Sequence, residues 1–406
     1  MDRRKILFIT IFSLAILVII YGLYYFFYRQ PVTAPMGVAP EEAMVNAPAG
    51  GLPTAGIGAP PGIVTGAPSA GPAILPPSAI AKGGVTLAPL LVQGPVFKPF
   101  LGATGKLNYY DPAQGKFYRV GTDGQPKLMS NQTFYNVQNV TWSPQSDKGI
   151  IEYPDKSKIF YDFTTGRQTT LPKHWEGFDF APQGDKVVAK SIGLDSENRW
   201  LLVSNPDGSE AKTVRPLGDN ADKVQVAWSP AGGVLAFSDT GKPRGGSKEI
   251  IPLGENNERF NPLVVEGYGF QPKWSTGGDK LVYSVYNNAS DYKPELWITN
   301  AQGAQMGTGR RKLDVVTWAE KCVFQDNDTM ICAVPQDLPT GAGLQPELGK
   351  EYADSIYKID LKTGLKNLLA TPDKRMSLNN LMVSPDKGTL YFTNTNSGEL
   401  HTMKLQ

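Results

Sequence analysis

The chain has 406 residues, 19% of them charged, with a net charge of +2, 43 Gly, 33 Pro and two Cys. So small a net charge with no long basic block gives no reason to expect a nucleic-acid partner, and two cysteines exclude a disulfide-rich scaffold or a Cys-rich metal cluster. The Gly and Pro content argues against a helical protein and for many turns or a long linker.

In chain order, MDRRK is followed by ILFITIFSLAILVIIYGLYYFFY, an uncharged apolar run over residues 6–28. About twenty apolar residues cross a hydrocarbon core of roughly 30 Å, so residues 1–29 read as a cytoplasmic stub and a single membrane-spanning helix. Arg3, Arg4 and Lys5 place the N-terminus in the cytoplasm, and the aromatics at 24–28 form an interfacial belt on the far side. The alternative is a signal sequence cleaved late; its usual apolar core is shorter. Either way the body of the protein is expected outside the cytoplasm. Residues 30–88 are dominated by Pro, Gly and Ala without apolar periodicity and read as a disordered spacer, with an end-to-end distance of roughly 40–45 Å or more.

From residue 89 to 406 one pattern recurs. It reads VTWSPQSDKGIIEY around Trp142, FDFAPQGDKVVAKS around Phe180, VAWSPAGGVLAFSD around Trp228 and PKWSTGGDKLVYSV around Trp274. More eroded copies surround Phe324, Val383 and Phe100. Ser, Pro and Gly at the first, second and fourth positions suit a type I turn, and the flanks alternate as half-buried strands do, so each copy is a hairpin. A second strand pair follows each, as in KIFYDFTTGRQTTL and SIYKIDLKTGLKNLL. Four strands per repeat, at a period of about 40–45 residues, predict an all-β propeller of four-stranded antiparallel blades. Seven copies imply seven blades, with six the alternative. The last blade has residues for three strands only, so its outer strand is either missing or supplied from upstream, within VTLAPLLVQ.

The W-S-P-x-G hairpins resemble those of the TolB-like, WD40-like β-propellers of bacterial envelopes, over roughly residues 90–406. The resemblance implies an envelope or cell-surface protein, or a cell-wall component, as the binding partner. No cofactor is expected. Cys322 and Cys332 lie equidistant from the turn residue Asn327, hence face each other across a hairpin within disulfide range. An oxidising compartment would permit the bond; two buried free thiols are the alternative.

The first and third turns of each meander are tight and the second turns are long, at 190–199, 238–249, 285–295 and 334–354. Alternate turns open on one face of the disc, so the long loops gather on one side, where binding is expected. On that face Lys242, Arg244 and Lys248 form a basic cluster, and Tyr286, Asn287, Asp291 and Tyr292 mix aromatic with polar character. No nucleophile elbow, zinc motif, phosphate-binding loop or full calcium loop is present, so no catalytic or metal site is assigned. The expectation is a membrane-anchored, extracytoplasmic binding or assembly scaffold that is not an enzyme. The alternative is an enzyme acting on a glycan or peptide in the central channel.

Overall fold

The computed structural model describes Leu14, Ile16–Val18, Tyr21 and residues 76–406 except Thr122 and Asn257. The expected span at residues 6–28 and the spacer up to residue 75 therefore lie outside the described residues, apart from those five helical positions. Among the described residues no helix is long and apolar enough to cross a membrane.

Residues 76–406 form seven sheets radiating from one axis, an all-β propeller. Blade 1 is a meander of Phe97–Leu101, Leu107–Asp111, Lys116–Val120 and Pro126–Leu128. Blades 2 to 7 cover 139–171, 175–216, 224–265, 268–313, 322–372 and 378–404. The first strand of each blade is innermost. Blade 7 holds three strands from its own stretch, and Leu90–Val92 adds the fourth against Leu400–Lys404. The ring is thus closed by a strand from upstream. His401 secures it, its Nδ1 lying 3.0 Å from the Ala88 carbonyl.

The folded part starts earlier than the expected boundary at residue 89. Gly84–Thr86 adds a parallel fifth strand outside blade 6, paired with Ala370–Pro372, and Ala81 and Ala88 are buried in the core between blades 6 and 7. The Pro/Gly/Ala composition concealed this strand, because a three-residue edge strand needs only backbone hydrogen bonds and small side chains.

The recurring motif has a structural reason in each of its residues. The Trp142 indole donates to the Lys98 carbonyl of blade 1 (2.9 Å), and the Trp274 indole to the Ala227 carbonyl of blade 4 (3.2 Å), each tying a blade to the preceding one. Ser143 donates to Asp147 (2.8 Å) and accepts from the Lys148 amide (3.2 Å). Ser275, Asp279 and Lys280 repeat the arrangement, so the serine braces its hairpin from inside.

Four inner strands, those of blades 1, 3, 5 and 7, carry a β-bulge at equivalent points, at Lys98, Gly177, Gly269 and Asn380, all with positive φ. A bulge bends the strand and raises its local twist. Glycine is required at 269, where a Cβ would sit 2.3 Å from the Tyr286 ring.

The core lies between blades. Around Phe117, which is fully buried, the rings of Tyr110, Phe134, Trp142 and Phe163 gather with centroids 5.0–5.5 Å away. Cys322 and Cys332 pair directly across the blade 6 hairpin, are fully buried and form a disulfide.

Candidate functional site: the loop-rich face

Antiparallel connectivity puts the second turn of every blade and the connection to the next blade on one face. The loop over blade 6, 336–353, is the longest there and is folded. Trp318, Leu338 and Ala342 form a small buried cluster with Tyr352 at its side. Gly349 lies so close to the Trp318 ring that a Cβ would approach it to 2.7 Å.

The predicted residues meet this loop in two ways. Asn287 accepts from the Ser290 amide (3.0 Å) and donates to the Glu266 carbonyl (3.0 Å) and to Glu295 (3.3 Å), shaping the blade 5 loop. Asp291 and Tyr292 adopt left-handed backbone, and their carbonyls accept the amides of Gly341 (2.9 Å) and Gly343 (2.7 Å). Tyr286 packs where a Cβ on Gly343 would stand. Tyr286, Asp291 and Tyr292 thus frame the long loop, while Asn287 braces the blade 5 loop itself. Lys242, Arg244 and Lys248 belong instead to a small hairpin extending blade 4, where Arg244 pairs with Glu249 and Lys248 with Asp239, both at 2.5 Å. Two of its three cations are thus satisfied internally.

Sequence reasoning missed the apolar side chains of this face. Leu194 is 97% exposed, Tyr135 73%, Tyr268 65%, Leu344 54% and Val316 44%, and all five lie in loops or strand ends of the loop-rich side. Among the described residues of the propeller, 76–406, Leu365 is the one counterpart on the opposite face; the others flank the outer edges of blades 1, 6 and 7. A single exposed leucine is unremarkable in a sequence, and only the fold shows that five share a side.

Clefts border the long loop. One of about 410 Å³ lies between blades 5 and 6, lined by Val315, Val316, Val334, Leu338 and Lys293 among others. Another, of about 500 Å³, is lined by Tyr352, Pro372, Lys374 and Arg375 and shares Gln336 and Asp337 with the first. A smaller one of about 210 Å³ lies between Trp318 and the start of blade 7. The wall between the last two contains a buried ion pair: Lys321 Nζ is 2.8 and 2.7 Å from the Asp354 oxygens, and Asp354 also accepts the Leu378 amide at 2.5 Å. Burial raises the Asp354 carboxyl above the ordinary range, with Lys321 opposing it.

Two aligned inner-strand positions carry half-buried ionisable groups. Lys273 donates to the Cys322 carbonyl of blade 6, and burial lowers its ammonium to about 8. Asp179 accepts the amides of Trp228 (2.7 Å) and Phe180 (2.9 Å), and burial pushes its carboxyl up to about 6. Both clasp adjacent blades. Because the folded value of Asp179 lies above its unfolded one, the stability it contributes is complete below about pH 4 and is lost as pH rises through 6. The difference is about 3 kcal/mol at order of magnitude. Asp179→Asn is therefore expected to flatten the stability-against-pH curve between pH 4 and 7 relative to wild type, by urea denaturation at each pH. An unchanged slope would show that another group carries the dependence.

On the tight-turn face, Asp326 pairs with Lys387 (2.7 Å) and Asp328 with Lys280 (3.1 Å) and Lys362 (2.7 Å), linking blades 5, 6 and 7. Among the described residues no group of three or more His, Cys, Asp or Glu is placed to hold a metal.

Fold and surface define a seven-bladed propeller with one loop-rich, partly apolar face. No protein-family model matches the chain, and no curated protein matches it in sequence. Among solved structures it is similar to oligogalacturonate lyase from Vibrio parahaemolyticus, at TM-score 0.54 and 13% identity, over 80% of this chain and 99% of that one. It is also similar to the β-propeller domain of Cps50 (Swd1) from Myceliophteria thermophila, at TM-score 0.52 and 10% identity, over 79% and 100%. TolB from Acinetobacter baumannii matches at TM-score 0.43 and 15% identity over 66% and 65%, too distant to carry an argument. At these identities the likeness establishes the fold.

It also corrects one expectation. The absence of catalytic motifs gave the expectation that the chain is not an enzyme, with an enzyme of the central channel as the alternative. Yet a lyase aligns with this chain over 99% of its own length, so a propeller of this architecture needs no appended catalytic domain to be an enzyme. A site whose residues converge across blades leaves no linear motif.

Proposed function

We propose that this chain is a membrane-anchored propeller, held outside the cytoplasm by residues 6–28 with its N-terminus inside, that binds an envelope or cell-surface protein, or a cell-wall component, through its loop-rich face. The observation that carries the reading is the gathering of exposed Leu194, Tyr135, Tyr268, Val316 and Leu344 on that one face. Exposed apolar side chains set among polar loops are the composition of a binding patch. The uncharged apolar run behind Arg3, Arg4 and Lys5 supports the anchor and its orientation. The Cys322–Cys332 bond suits an oxidising compartment.

The test places a photo-cross-linking residue singly at Leu344, Tyr268 or Thr363 of the full chain in intact cells. Thr363 lies in an exposed tight turn of the opposite face. One common adduct from Leu344 and Tyr268, absent from Thr363, is the expected result. Equal capture at all three positions would overturn the reading. Turnover of an oligosaccharide or peptide by the purified chain would replace it with an enzymatic one.

A further inference from the structure

The clefts of about 410 and 500 Å³ adjoin at Gln336 and Asp337, which line both, and the groove is the pair of them. It crosses the rim of blade 6 on the loop-rich face. Its two halves have the same plan. In the first, Val315, Val316, Val334 and Leu338 form an aliphatic socket with Lys293 at its edge. In the second, Tyr352 and Pro372 form a socket with Lys374 and Arg375 beside it.

Several charges in the groove are already neutralised. Lys366 pairs with Asp314 at 2.8 Å, and Asp354 pairs with Lys321 at 2.7 Å. Lys293, Lys374 and Arg375 have no carboxylate partner among the described residues, and Arg375 donates to the Glu351 carbonyl (3.3 Å). Against these three cations stands Asp337 alone, so the groove carries a net positive charge. Gln336, Ser355, Thr371, Tyr352 and Tyr357 supply further polar contacts along it.

We infer that this groove binds an extended acidic peptide segment, in which two apolar side chains enter the sockets and neighbouring carboxylates meet Lys293 at one end and Lys374 with Arg375 at the other. Charge complementarity selects an anionic ligand. Aliphatic sockets favour branched aliphatic groups, which alternate side chains of an extended peptide supply, over sugar rings, whose substituents are mostly hydroxyls. The inference rests on the reading of the loop-rich face as a binding face and names the chemistry of the partner.

The experiment titrates the full chain in detergent with a fluorescent, acetylated hexapeptide alternating Glu or Asp with Leu or Val. Its Lys-for-acid counterpart and an acidic oligosaccharide serve as competitors. Lys374→Glu and Lys293→Glu are each expected to weaken binding about tenfold, and raising the salt concentration to weaken it further. Lys212→Glu makes the same charge change on the outer strand of blade 3 and is expected to have less than a twofold effect. Thermal unfolding of each variant confirms an intact fold. Binding insensitive to Lys374 and Lys293, no binding of the peptide, or binding of the oligosaccharide in its place would each overturn the inference. If the peptide fails while cross-links from Leu344 and Tyr268 still converge on one partner, the groove assignment falls and the face assignment stands.

Discussion

Replacing Lys321 by Met is expected to destabilise the propeller by about 3–5 kcal/mol at pH 7, the usual loss when one partner of a buried ion pair is removed. The side chain of Asp354 is fully buried and that of Lys321 nearly so, and both carboxylate oxygens face the ammonium. Without Lys321, the carboxylate keeps only the Leu378 amide and other weak polar neighbours, and its proton affinity rises further. The defect should therefore shrink on acidification, since protonation removes the unpaired charge. Lys321→Met with Asp354→Leu should recover much of the loss, because exchanging both charges for apolar groups also removes their desolvation cost. Urea denaturation at pH 5 and pH 8 measures both effects. A loss under 1 kcal/mol for the single variant would mean that water reaches the pair. The pair also walls two clefts, so the same variant is expected to disturb the loop-rich face.

Phe117→Ala is expected to cost a similar 3–5 kcal/mol by a different route. Its ring touches four other aromatic rings between blades 1 and 2, and truncation leaves a cavity that strands on both sides cannot collapse to fill. Phe117→Leu, which keeps most of the volume, should cost about 1–2 kcal/mol. Because Phe117 lies in blade 1 and the groove over blade 6, peptide binding by the folded fraction should be unchanged. Stability and recognition are thereby separated: Lys321→Met alters both, Phe117→Ala only the first. An equal loss of binding in Phe117→Ala would show that the ring responds as one body.

The repeat was legible because each hairpin carries its own local chemistry. A turn that needs Ser, Pro and Gly, flanked by alternating strands, can be read wherever it occurs. The missing outer strand of blade 7 was legible by subtraction, since three strands before Gln406 leave an open edge. The disulfide followed from symmetry about Asn327. The strand 84–86 was hidden because its pairing uses backbone alone, and the bulges were hidden where the residue with positive φ is Lys98 or Asn380 rather than Gly.

The site was less legible. Long loops were assigned to the right face by parity of the turns, but their residues could not be sorted into framing and presenting. Asp291 and Tyr292 hold the neighbouring loop through their backbone carbonyls and Asn287 braces its own loop, roles that no sequence pattern announces. Leu344 and Tyr268 look like ordinary apolar positions and are exposed.

By itself, then, the sequence determined the four-stranded blade and the side on which the long loops lie, and it narrowed the ring to seven or six blades and the last outer strand to missing or supplied from upstream. These depend on patterns within some fifty residues, or on counting them. Only the tertiary structure decided which charges are spent on ion pairs, which apolar side chains meet solvent and which loops join into a groove. Those properties belong to residues brought together by strand pairing and loop packing: Lys321 meets Asp354 although 33 residues separate them, and Val316 lines one cleft with Leu338, and no local spacing records that.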